Sequence, residues 1–365
     1  MRAVRVSVPG KLILIGEHAV VYSRPALAAA IDRRLLVEIR PRERPGVSLR
    51  LPGIEHAEET TWTAIAAHAE RTLAAWRRYA EDPSPESFRQ VRGEEAAHLV
   101  KVALGAARER FGVPREGSEA ELPGLELTVT SALAVGSGFG SSAAAAVAVV
   151  AAFGAAFGAT PAPAEILAAA LDVERCQHGR PSGIDTETVL EGGLVWAEAS
   201  RGRLAFSPLD VASPLLAAIE VYDTGRPRET TGEVVAAVRD VRDRDPHGFE
   251  RLLDRLDEAA RAFRTELERK DGSRARLIEL VREAEACLET MGAVPEPIRR
   301  LVRQVEAAGG AAKISGAGAV TGDAAGSLLL VAPEAESPSS WPFLARYARR
   351  DVALGARGLQ WETPA

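Results

Sequence analysis

The stretch AVGSGFGSSAAAAVAVV, residues 134 to 150, constrains the fold of this chain more than any other. Three glycines and three serines crowd its first nine positions, and a run that reads as helix follows directly. Glycine permits positive φ and a close approach of the backbone. Where such a turn opens a helix, the free amides and the positive end of the helix dipole face whatever lies in front of it. Alanine richness in the helix signals close packing of small residues. For the turn alone two readings stay open, a plain tight turn or a cradle for an anion such as phosphate. The G-x-x-x-x-G-K-[ST] loop is absent, and Gly136, Gly138 and Gly140 lack the dinucleotide spacing with an acid about 20 residues on. Ser141 and Ser142 stand where the helix begins. One can cap it, and the other can turn a hydroxyl toward phosphate or magnesium.

At 365 residues the chain exceeds what one core usually organises, which favours two domains with a cleft. Residues 3–8 and 11–15 read as strands separated by a Pro9-Gly10 turn, and LLVEIRP and VSLRL continue the β pattern. From Thr60 to about Phe111 the spacing turns helical, broken at DPSPES, where Ser84 or Ser87 can cap a second helix; a helical hairpin over 60–112 is expected. The strand LELTVTSAL leads into the glycine turn, and a further helix lies in APAEILAAALDVERCQHG. Residues 193–224 return to β texture, and charged amphipathic helices follow from about Thr231 to Met291. The boundary is expected near residue 198, giving domains 1–198 and 199–365. The last unit runs IRRLVRQVEAAGG, AAKISGAGAVTGDAAG and SLLLVAP: helix, turn, strand.

Composition narrows the chemistry. Hydrophobic residues make up 46%, charged residues 26%, and the formal charge is −6, with cations interleaved among acids, as in EIRPRERPG. No basic face suits a nucleic-acid backbone, so no nucleic-acid partner is expected. Cys176 and Cys287 are the only cysteines, which argues against a disulfide framework or a zinc site and fits a cytoplasmic location. No run reaches about 18 uninterrupted apolar residues and the N-terminus lacks a leader pattern, so neither a membrane span nor a secretion signal is expected.

Two further stretches carry candidate chemistry. VERCQHGRPSGIDTETVLEGG, residues 173–193, holds Glu174 and Asp185. Magnesium that accompanies nucleotide phosphates takes one or two carboxylates, so Glu174 suits a metal ligand and Asp185 a base. Either acid alone reads as a solvated charge, one of 51. VPGKLILIGEHAVVYSRPALAAAI supplies Lys11, Glu17 and His18, each of which singly reads as solvated or structural.

In combination they say more. PGKLILIGEHAVV, GSGFGSSAAAA and KISGAGA, in this order, resemble the three signature segments of the GHMP kinases, a family of small-molecule kinases. Within it, GEHAVVYSRPALAAAI, ERCQHGRPSGID and DTGRPRETTGEVV look most like the mevalonate-phosphorylating members. The resemblance spans about residues 8–331, and the helical segment 60–112 adds little to it. It implies an α/β (α+β) fold with the site in the cleft between two domains: an N-terminal domain like the second domain of ribosomal protein S5 and a ferredoxin-like C-terminal domain. It also implies ATP and Mg2+ as cofactors and mevalonate as the small-molecule partner. Position by position, it implies that Lys11 lies by the nucleophile and phosphates and that Asp185 is the catalytic base. Glu17 and His18 then line the acceptor pocket, with Thr230 in support. Gly136, Gly138, Phe139, Gly140, Ser141, Ser142 and Ala143 wrap the ATP phosphates, and Ser142 and Glu174 hold the metal. One departure stands out: the family's third segment runs on as nearly pure glycine, whereas Val320, Thr321 and Asp323 interrupt it here. That interruption puts close backbone packing beneath the phosphate loop in question, and Asp323 reads as an exposed turn acid.

The chemistry is coherent apart from the family. Phosphoryl transfer to an alcohol asks mainly for positioning and charge neutralisation. An aspartate takes the hydroxyl proton, a lysine offsets developing oxyanion charge, and magnesium bridges phosphate oxygens. The alternatives are a phosphomevalonate acceptor, another small-molecule kinase, the diphosphomevalonate decarboxylase reaction on the same fold, and an inactive ligand sensor. Phosphomevalonate calls for extra cations, and the residues beside Glu17 offer no surplus. A homodimer agrees with the family's habit, though no exposed apolar stripe marks the contact.

Overall fold

The computed structural model describes residues 1–112, 122–133 and 136–363; Ala134 and Val135, which begin the glycine-rich stretch, lie outside the described residues. The N-terminal β pattern forms one strand, β1 (Val4–Ile15), instead of two. Proline cannot donate to a ladder and is tolerated at irregularities. Here the neighbouring strand β2 (Ala26–Arg42) bulges at that point, its partner position jumping from Arg34 opposite Pro9 to Ile31 opposite Gly10. β2 is long enough to serve two neighbours on its other side. Its first residues pair with β6 (Leu194–Ser200) and its later ones with β5 (Gly124–Ser131). β3 (Val47–Leu51), β4 (His56–Thr60) and β7 (Arg203–Pro208) extend this sheet, and among the described residues only β3 and β5 pair in parallel. The expected boundary at residue 198 falls inside β6, and both β6 and β7 belong to this first sheet.

The helical segment departs from a hairpin: it forms three helices, α1 (Trp62–Glu81), α2 (Pro85–Arg92) and α3 (His98–Arg110). Ser84 caps α2 reciprocally with Ser87. The break before His98 begins at Gly93, which closes α2 at φ +59°, a stop signal that the helix-favouring residues on either side obscure. The central helix α4 (Ser141–Ala156) is buried at every position from Ala143 onward and packs on β1 and β2 as well as on α3. Neither Ser141 nor Ser142 caps it. The cap position is Gly140, so the first amides of α4 stay open toward the solvent side. α5 (Pro163–His178) and α6 (Ile184–Glu191) pack against it.

The second sheet is antiparallel in the order β11-β8-β10-β9. Its strands are β8 (Ile219–Asp223), β9 (Ala311–Ser315), β10 (Ser327–Val331) and β11 (Ala348–Arg350). Four helices accompany it: α7 (Thr231–Arg244), α8 (Pro246–Glu268), α9 (Arg274–Thr290) and α10 (Glu296–Ala307). α8 also reaches the first half, where Phe249 meets Tyr22 edge to face at 5.0 Å. One apolar cluster runs through both sheets. The chain then returns to the first sheet: β12 (Gln360–Glu362) pairs with β1 at Arg5, Val6 and Ser7. Among the described residues no helix is long and apolar enough to cross a membrane.

Candidate active site

The glycine turn lies across β1. The Lys11 backbone N–H donates to the Phe139 carbonyl at 3.0 Å. Gly140 has φ +68°, and a Cβ there would stand 2.8 Å from Lys11 Cγ. Gly138 has φ +83°, and its Cβ would meet the Ser315 carbonyl oxygen at 2.9 Å. Both positions thus combine a left-handed backbone with no room for a side chain. The turn is held between β1 and the end of β9. Ser315 tightens that sandwich: its hydroxyl donates to the Ile13 carbonyl at 2.9 Å and accepts from the Ile13 N–H at 3.1 Å. Close packing beneath the turn therefore survives the interrupted third segment. Val320, Thr321 and Asp323 lie beyond the contact, with the Thr321 N–H donating to Glu229 at 3.0 Å and Asp323 exposed.

Asp185 sits in the first turn of α6, after the Pro181-Ser182-Gly183 turn, where the helix dipole favours an anion. Its Oδ1 lies 3.1 Å from Lys11 Nζ, the lysine side chain being 4% exposed and the aspartate 33%. Glu174, near the end of α5, is buried, and burial together with the charge of Asp185 pushes its carboxyl up to about 8. It is hydrogen-bonded to Ser142, and its Oε1 has no hydrogen-bond partner. One turn later, His178 Nε2 is 3.0 Å from Ser142 Oγ and 3.6 Å from Glu174 Oε2. Burial holds His178 down to about 4, so it is neutral at pH 7.

A cavity of about 310 Å³ brings most of the expected residues together: Lys11, Glu17, His18, Gly136, Gly138, Gly140, Ser141, Ser142, Glu174, Asp185 and Thr230. Phe139 and Ala143 do not line it. Their side chains lie in the core, and the Phe139 carbonyl is taken up by the Lys11 backbone N–H. His18 has φ +58°, an uncommon backbone for a residue with a side chain. Its Nε2 donates to the Ala317 carbonyl at 2.9 Å, tying the turn after β1 to the third segment. Thr230 caps α7, its hydroxyl accepting from the Glu233 N–H at 3.3 Å.

Sequence reasoning missed several lining residues. His178 was detectable in principle from its i, i+4 spacing to Glu174. Arg92, Arg180, Arg226 and Arg228 also line the cavity, which corrects the expectation that no surplus of cations is present. Arg92 comes from α2 and the last two precede α7, so no local pattern joins them.

Among the described residues no group of three or more His, Cys, Asp or Glu side chains converges on a metal position. Magnesium bound with nucleotide phosphates does not need one, since it is content with one or two protein oxygens. Glu174, with an orphaned buried oxygen, and the Ser142 hydroxyl are hard oxygen donors that fit such an ion.

The family profile described as GHMP kinases N terminal domain matches residues 98–193. The mevalonate kinase of Archaeoglobus fulgidus is 30% identical over 315 residues, covering 86% of this chain and 88% of that protein. The crystal structure of Methanococcus jannaschii mevalonate kinase superposes with a TM-score of 0.70 at 17% identity, covering 96% of this chain and 98% of the other. L. major mevalonate kinase in complex with R-mevalonate gives 0.64 at 22% identity, covering 94% of each.

Proposed function

The chain belongs to the mevalonate kinases of the GHMP family, and from that premise we propose that it transfers the γ-phosphoryl group of ATP to the 5-hydroxyl of (R)-mevalonate. The observation that carries the reading is the Lys11 Nζ to Asp185 Oδ1 pair at 3.1 Å, in a cavity that also receives the glycine turn. In this reading Asp185 accepts the proton of the attacking hydroxyl, and Lys11 offsets the negative charge that grows on the transferring oxygens. The open amides of α4 and of the turn receive the β- and γ-phosphates. Ser142 and Glu174 would hold magnesium, which when bound would neutralise phosphate charge. His178, neutral and against Ser142 Oγ, fixes that hydroxyl. Glu17 and His18 face the acceptor. A cytoplasmic location accords with the two unpaired cysteines.

The four cavity arginines favour a second reading, with phosphomevalonate as acceptor. One assay separates the two. The purified protein is given ATP, magnesium and, in turn, mevalonate, phosphomevalonate, galactose and homoserine, and ADP and carbon dioxide are followed. ADP formed with mevalonate alone is the expected result; turnover confined to phosphomevalonate, or release of carbon dioxide, overturns it.

A further inference from the structure

Beneath the acceptor end of the cavity lies an ion pair that joins the two halves of the molecule. Glu17, in the turn after β1, and Lys313, in the middle of β9, are 1% and 0% exposed. Lys313 Nζ donates to Glu17 Oε1 and to the Ile314 carbonyl, the latter at 2.8 Å. On the far side, Glu285 of α9 accepts from the Ile314 N–H at 3.1 Å, which fixes the strand beside the lysine. Glu17 Oε2 is buried and has no hydrogen-bond partner, although Glu17 lines the cavity. A buried carboxylate oxygen without a donor is unfavourable, and a ligand that supplies one relieves it. A lysine tethered at two points leaves Glu17 little freedom to turn Oε2 elsewhere.

We propose that Lys313 is a positioning residue for the phosphoryl acceptor: by holding Glu17 through Oε1 it reserves Oε2 for a hydroxyl of the acceptor other than the one phosphorylated. The inference rests on the mevalonate kinase reading, in which the acceptor lies against Glu17. It also defines the acceptor class as alcohols with a second hydroxyl donor, which mevalonate carries at C3. Lys313 reaches neither substrate in this arrangement and acts only through Glu17.

The test compares mevalonate with 5-hydroxy-3-methylpentanoate, which lacks the C3 hydroxyl. The unaltered protein is expected to prefer mevalonate by about 10-fold or more in kcat/KM, because a site built to bind a hydroxyl rejects the analogue without it. In Lys313→Met that preference is expected to shrink to within about threefold, with the KM for ATP unchanged within about twofold. Equal preference in the two proteins overturns the proposal. Because Lys313→Met leaves a buried charge unpaired and can fail to fold, Glu17→Gln and the double variant Glu17→Gln/Lys313→Met are measured beside it. If Lys313 works through Glu17, those two share one acceptor KM; a further rise in the double variant overturns the proposal. Failure of the unaltered protein to phosphorylate mevalonate overturns the underlying reading instead, and it is seen before any substitution is made.

Discussion

Asp185 and Lys11 divide one task between a half-open and a closed environment. The lysine is sealed under the glycine turn, while the aspartate keeps a third of its side chain accessible, as a group must if it is to meet an incoming alcohol. Asp185→Asn is expected to lower kcat by about 10²- to 10⁴-fold, the usual worth of a general base, with ATP affinity unchanged. Single-turnover kinetics and nucleotide titration check this, and near-normal turnover removes Asp185 from the chemistry. Glu285 supplies a second expectation at this scale. Burial raises its carboxyl to about 8, so between its ordinary value near 4.5 and about 8 the native state binds more protons than the unfolded chain, and stability falls as pH rises. A tenfold change in a protonation equilibrium is worth about 1.4 kcal/mol. Glu285→Gln should therefore match the unaltered protein in Tm near pH 4.5 and exceed it by on the order of 5 °C at pH 8; a gap independent of pH contradicts the assignment. At the level of single residues, Lys11, Glu174 and Asp185 were legible because short motifs surround each of them. His178 was signalled only by its i, i+4 spacing to Glu174, and Arg92, Arg226 and Arg228 were not legible, since their proximity to the site arises only when α2 and the segment before α7 are packed against it.

Among the elements, α4 governs the rest. Its length was readable from the alanine run bounded by glycines, but its cap was not: a serine beside a helix start looks like a cap whether or not the preceding glycine takes that position. Pro9-Gly10 misled in a similar way, because a local turn signal and a strand bulge share the same residues, and only pairing with β2 distinguishes them. Small side chains let α4 approach β1 and β2 closely enough to put its open N-terminus beside Lys11. Ala148 is fully buried in this packing. Ala148→Leu is expected to cost about 1–3 kcal/mol through overpacking and to displace the turn ahead of α4. Urea unfolding should show the loss together with a raised KM for ATP, and a variant of unchanged stability speaks against so tight a helix.

For the whole molecule, the decisive contact is Ser315, whose hydroxyl satisfies both the N–H and the C=O of Ile13 across the two sheets. Ser315→Ala leaves a buried donor and acceptor unsatisfied and is expected to lower stability by about 1–3 kcal/mol, whereas Ser315→Thr keeps both bonds. An alanine variant with the same urea midpoint refutes this role. We propose that the functional division of the chain lies after β7, near residue 209, instead of at 198, since β6 and β7 stay with the first sheet. Sequence texture changes gradually there, and strand partners are a long-range property that texture does not encode.

The return of β12 to β1 has a consequence for biogenesis. A ribosome delivers Val4 to Ile15 long before Gln360 to Glu362, so the outer edge of the strand bearing Lys11 has no strand partner at Arg5, Val6 and Ser7 until β12 is made. Until β12 docks, the nascent protein offers that edge to any other extended chain nearby. Closure of the fold around the strand that carries Lys11 therefore waits on β12.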